Sequence, residues 1–168
     1  HLQKEPNVII TVAAEYARYN LGWHKQEMFE SISNQALNDN SVGQIMAIRS
    51  LSSIHNQQSL EILKSIIYEV PHDHSSRTSI IRYLAETGPS QKVIEILTEA
   101  ISDEDCGLQF LAITRLGRFG PAANSALPVL HSLKEEGRVL CDENRDAMDS
   151  AILFIEQGPE LYGYAGPR

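Results

Sequence analysis

Leucines recur along this chain at a step of about 33 residues, and no other feature constrains its fold as tightly. Leu51, Leu84 and Leu116 are separated by 33 and 32 residues, and Leu63, Leu97 and Leu130 by 34 and 33. Flanking columns move with them: Leu60, Ile94 and Leu127, then Ile62, Ile96 and Val129. Within each unit the spacing is helical. Leu60, Leu63 and Ile67 fall at i, i+3 and i+7, as do Ile94, Leu97 and Ile101. Columns that shift together mark a repeated helix–turn–helix unit.

Helices are expected near 7–20, 25–38, 41–55, 58–69, 75–87, 90–101, 105–119, 122–134 and 143–157. Gly88-Pro89, Gly120-Pro121 and Gly158-Pro159 follow helical runs. Glycine suits the left-handed residue that ends a helix, and proline suits the first turn of the next. Asn56 takes the glycine's place in the earlier unit. Asn40-Ser41, His74-Ser75, Asp103-Glu104-Asp105 and Asp142-Glu143 supply caps and dipole partners for free N–H groups. Pro128 is tolerated if its helix starts at Ser125 or Ala126, with Pro121 to Asn124 as a separate short turn. No Asn-Gly or Asp-Gly hairpin signal occurs. The fold class is therefore all-α.

The stretch Asp103 to Leu133 reads DEDCGLQFLAITRLGRFGPAANSALPVLHSL. Its acidic opening, Ala112, Leu116-Gly117, Gly120-Pro121 and Ala126-Leu127-Pro128 with Leu130 resemble a HEAT repeat, of the short bacterial kind named after phycobilisome lyases. Gly88-Pro89 with Ile94 and Leu97 fits more loosely, as does Ala47 to Leu51. The resemblance covers roughly 41–157. It implies a right-handed α-solenoid of stacked antiparallel helix pairs. First helices would line the convex face and second helices the concave one. The expected layout is one repeat domain over 1–168. It has an N-terminal capping pair at 7–38, repeats at 41–69, 75–101 and 105–134, a terminal helix at 143–157 and a tail at 158–168. The tail is either a linker or a strap along the last helix.

A helix pair in such a stack buries both flanks against neighbours. On the second helix, positions 60, 62, 63, 66 and 67 are apolar over about half the circumference. The remaining stripe reads Glu61, Lys64, Ser65, Tyr68 in one unit and Glu95, Thr98, Glu99, Ser102 in the next. The last unit gives Pro128, His131, Ser132, Glu135. The candidate binding residues are accordingly Glu61, Lys64, Tyr68, Glu95, Glu99, His131 and Glu135. Arg49, Arg82 and Arg115 form a further row, read as solvated or inter-repeat arginines with packed stems.

Charge narrows the function. The net charge of −8 disfavours gripping a phosphate backbone, so no nucleic-acid partner is expected. Residues 1–84 carry eight acids and seven bases, whereas 85–168 carry fourteen acids and seven bases. No apolar run approaches the ~18 residues of a membrane span. The start at His1 reads as a processed product or a fragment. The compartment stays open between cytoplasm and export after N-terminal processing.

Cys106 and Cys141 fit no zinc spacing. The simpler reading is two separate thiols; one disulfide would need segment 134–142 to fold back. His72-Asp73-His74 lacks a third metal partner and reads as a polar loop. Tyr16, Tyr19 and Trp23 either cap the open end of the first repeat or form a patch. There is no His-Glu pair, GxSxG, P-loop or dinucleotide glycine motif. No cofactor and no catalytic residue is therefore expected. The expected function is a non-catalytic scaffold that binds a protein or peptide, basic in character, on its concave face. The alternative is an enzyme or chromophore-handling protein with a site in the same groove. Oligomeric state is left open.

Overall fold

A computed structural model describes residues 5–38, 42–68, 74–138 and 141–158, and no strand occurs among them. The helices are α1 (Glu5–Asn20), α2 (Lys25–Asn38), α3 (Val42–Ile54), α4 (Gln57–Tyr68), α5 (His74–Glu86) and α6 (Gln91–Ala100). α7 (Cys106–Phe119), a 3₁₀ segment (Gly120–Ala126), α8 (Leu127–Glu135) and α9 (Asp142–Gln157) follow. Every helix expected from the periodicity is present. Asn40 and Ser41, His72 and Asp73, and the tail beyond Gly158 lie outside the described residues.

The contacts divide the chain into two compact units, His1–Tyr83 and Leu84–Arg168. In the first, α1 packs on α2 and α3, α2 packs on α3 and α4, and α3 packs on α4. In the second, α6 packs on α7 and the 3₁₀ segment, and α9 packs on α7, the 3₁₀ segment and α8. Alternate helices touch as well as consecutive ones. The leucine columns explain why: Leu51, Leu63, Leu84, Leu97, Leu116 and Leu130 are all fully buried. Each such side chain stabilises by about 1.5–3 kcal/mol relative to exposure.

The corners are built from local chemistry. Gly88 takes φ 98°, and Ser90 Oγ then accepts from Val93 N–H to cap α6. Pro89 thus sits just before the cap rather than inside the first turn. At the α3–α4 corner His55, not Asn56, is the left-handed residue, at φ 50°. Asn56 caps α4 instead. Its Oδ1 accepts from Ser59 N–H at 2.7 Å, and its own N–H donates to Ser59 Oγ at 3.0 Å. That is a reciprocal capping box with serine in the usual glutamate position. Asp105 Oδ1 accepts from Gly107 and Leu108 N–H groups and caps α7. α9 differs: its cap residue is Cys141 without a side-chain bond, so Asp142 and Glu143 act on the dipole from the first turn. Pro128 falls in the first turn of α8 after the 3₁₀ segment, where its missing N–H costs nothing.

Cys106 and Cys141 are joined in a disulfide with Cα atoms 6.2 Å apart. The reading of two separate thiols is therefore corrected. Interhelical spacing alone kept the pair apart in that reading. Cys141 lies outside α9 as its cap, free of the axis spacing. Asn144 also draws the two helix starts together by donating to Cys106 O at 3.1 Å. Closing a loop of 35 residues contributes about 4 kcal/mol in the chain-entropy account.

Eight polar residues are buried among the described ones, and their hydrogen-bond partners separate them into two kinds, with Asn144 Oδ1 left unpartnered. Ser33, Ser50 and Ser52 donate to the carbonyl four residues back, and Ser59 serves its capping box. Gln44, Ser76, Gln109 and Asn144 instead reach other elements. Gln44 Nε2 donates to Ala36 O at 3.0 Å, and Gln44 Oε1 accepts from Ser76 Oγ at 2.8 Å. Gln109 Nε2 donates to Ile101 O at 3.0 Å, and Gln109 Oε1 accepts from Asn144 Nδ2 at 2.8 Å. The two clamps are alike. Each glutamine takes a carbonyl eight residues back, at the end of the preceding helix, where no intrahelical donor exists. Arg77 does the same for Ile67 O through Nε at 2.9 Å.

Gly117 lets α7 and α9 approach. A Cβ there would lie 2.9 Å from Ala151 Cα and 3.0 Å from Ala151 Cβ. Because backbone is in the way, the helices must move apart to admit a methyl group. Gly117→Ala should lower stability by about 1–2 kcal/mol in urea unfolding, overpacking outweighing the ~1 kcal/mol of helix propensity gained. An increase in stability would show that the contact is loose.

Candidate functional site

The stripe residues lie on three helices. On α4 of the first unit, Glu61 and Tyr68 are exposed and Lys64 is half-buried. Gln57 Nε2 donates to Glu61 Oε1 at 3.1 Å, one turn away. Beneath them Leu60, Leu63, Ile66 and Ile67 are buried, so the apolar arc and the polar stripe separate as the helical period requires.

In the second unit Glu95 and Glu99 are exposed on α6, while Val93, Ile94, Ile96 and Leu97 are buried. Glu95 accepts from Gln91 Nε2 at 3.3 Å and lies 3.9 Å from Lys92 Nζ. Such exposed pairs contribute little to stability. On α8, Glu135 is exposed. Its neighbours are neutralised locally: Lys134 Nζ pairs with Asp149 at 2.6 Å and Arg138 Nε with Glu136 at 2.6 Å. His131 is turned toward α9, with Nε2 3.3 Å from Glu156 Oε1. The structure thus brings Glu95 and Glu99 together on one helix face and engages His131 with a different helix.

A concavity of the second unit lies elsewhere. It is a trough of about 410 Å³ between α7 and α9. Its floor is the Gly117–Ala151 contact. Phe110 and Phe154 form apolar walls, and Glu143 and Asp146 stand on the α9 rim. Phe110 is 41% exposed, unusually open for a phenylalanine. The leucine columns gave no notice of this feature, because it sits on the arc of the first helices away from them. The available signal was small residues at helical spacing, Ala147 and Ala151, opposite Gly117. A smaller hollow in the first unit, between α1 and α3, is lined by Tyr16, Met46 and Arg49, with no acid among its described lining residues.

The aromatic cluster at the first corner resolves into parts. Tyr19 packs near Phe29, with ring centres 6.4 Å apart, and Lys25 Nζ lies 5.3 Å from the Tyr19 ring. Trp23 is 62% exposed. Arg49 of the arginine row lies 5.9 Å from the Tyr83 ring, which fits a packed guanidinium. Among the described residues no group of three His, Cys, Asp or Glu could hold a metal ion. No described helix is long and apolar enough to cross a membrane.

The chain matches no family model, no curated protein and no solved structure.

One exposed carboxyl is perturbed. Ser132 Oγ donates to Glu136 at 2.5 Å and holds its pKa below the ordinary value, and the Arg138 charge lowers it further. A lowered folded pKa means a contribution present above the unfolded pKa and lost as pH falls through the folded value. Ser132→Ala should therefore raise the Glu136 pKa toward its ordinary value in an NMR titration. An unchanged titration would remove the hydroxyl as the cause.

Proposed function

We propose that the chain is a non-catalytic interaction module. In this reading its helix pairs are HEAT-like repeats, stacked as a right-handed α-solenoid, and it binds a basic protein or peptide through its second helices. The observation that carries the reading is that Glu61 on α4, Glu95 and Glu99 on α6 and Glu135 on α8 are each exposed on a helix that buries its apolar side chains. On α4 Lys64 and Tyr68 add hydrogen-bonding and aromatic groups, and on α8 His131 adds an imidazole beside Glu156. The clamps of Gln44 and Gln109 support the repeat, since each takes a carbonyl eight residues back with Nε2 and accepts from a later helix with Oε1. They partner residues 32 and 35 positions on, close to the leucine step.

The charge distribution supports a basic partner. Residues 85–168 carry a net charge of −7. A field of that sign steers cationic partners and makes association sensitive to salt. The disulfide supports the exported alternative for the compartment, because such bonds persist in oxidising surroundings.

The test uses basic peptides selected for binding to the full chain. Combined Glu95→Lys and Glu99→Lys should weaken them by about tenfold or more, roughly 1.4 kcal/mol, and flatten the salt dependence. Affinity unchanged by both reversals would sink this assignment.

A further inference from the structure

We propose that the α7–α9 trough is a second binding site, independent of the second-helix stripe, and that its ligand is the apolar face of a basic amphipathic helix. Three features of the trough lead there. It is open rather than enclosed, and it runs from Glu143 to Phe154 on α9, about 16 Å at 1.5 Å per residue. That length matches three turns of a partner helix, the reach over which helix-in-groove recognition reads anchors at i, i+3 or i+4, and i+7. Its interior is apolar, with Phe110 and Phe154 as walls and the closely packed Gly117 and Ala151 as floor. Side chains of leucine or phenylalanine size fill such a space.

Charge selects the partner. Glu143 and Asp146 stand one turn apart on the rim, and both are exposed. Arg118 is the one base among the described lining residues, set against these two acids. The charge on offer is therefore negative, and lysines or arginines flanking the apolar anchors complement it. The same charges argue against a second copy of this chain, which would bring its own acidic half to an acidic rim. Among its described lining residues the hollow between α1 and α3 carries Arg49 and no acid, so the preference belongs to this place in the fold and not to every such helix pair.

The test measures fluorescence anisotropy of a labelled leucine–lysine peptide of about 14 residues, patterned as an amphipathic helix, against the full chain. A scrambled peptide of equal charge is the control. The patterned peptide should bind about tenfold more tightly than the scramble. Ala147→Trp, which fills the trough, and Glu143→Lys with Asp146→Lys should each weaken it about tenfold. Far-ultraviolet circular dichroism should confirm that both variants stay folded. The Glu95→Lys and Glu99→Lys variant should keep the preference for the patterned peptide over the scramble, which separates this site from the stripe. Equal binding of patterned and scrambled peptides would overturn the proposal, as would indifference to both trough variants. Self-association abolished by Glu143→Lys would overturn it by assigning the trough to a second copy.

Discussion

A single buried glutamine ties three helices together in each unit. The C-terminal end of any helix leaves carbonyls without donors, and a corner that buries them must supply some. Gln44 and Gln109 do this with Nε2 and turn Oε1 to the start of α5 or α9, where Ser76 or Asn144 donates. Loss of either partner would leave a buried polar group unsatisfied, at about 1–3 kcal/mol. Apolar packing can tolerate sliding by a turn; two directed bonds from one amide cannot. The clamp thus fixes the register that the leucine columns only favour.

Much of this was legible in the sequence, and the reasons are local. The leucine step and the Gly-Pro corners report helix existence, because burial periodicity and backbone conformation act over a few residues. The clamp was not legible. Its column runs Gln44, Ser76, Gln109, Asn144, four residues of three types, and only geometry shows that they share a task. The Arg77 bond to Ile67 O follows the same physics, since it too satisfies a carbonyl at the end of a helix. His55 was missed because its left-handed backbone leaves Asn56 to the cap, and residue preference alone ranks Asn first. The cystine was missed because axis spacing says little about a residue that precedes its helix.

The candidate sites divide along the same line. The second-helix stripe follows directly from period and polarity, and its carboxylates are exposed on α4, α6 and α8. The trough depends on how closely α7 and α9 approach. Gly117 permits that approach, and the Cys106–Cys141 bond and the Gln109–Asn144 pair hold the same two helices at their starts. The acidic excess of the C-terminal half acquires a place in this way. Asp105 caps a helix, Asp142 opens one, Glu136 and Asp149 are paired, and Glu95, Glu99, Glu143 and Asp146 face solvent.

The clamp is the part of the account on which the others rest, and a double-mutant cycle measures it directly. Gln109→Leu, Asn144→Leu and the double variant would be unfolded in urea with the disulfide intact. The account predicts a coupling of about 1 kcal/mol or more, within the 0.5–3 kcal/mol found for residues in one hydrogen-bonded network. Strictly additive losses would contradict it, since the amides would then stabilise the fold without acting on one another.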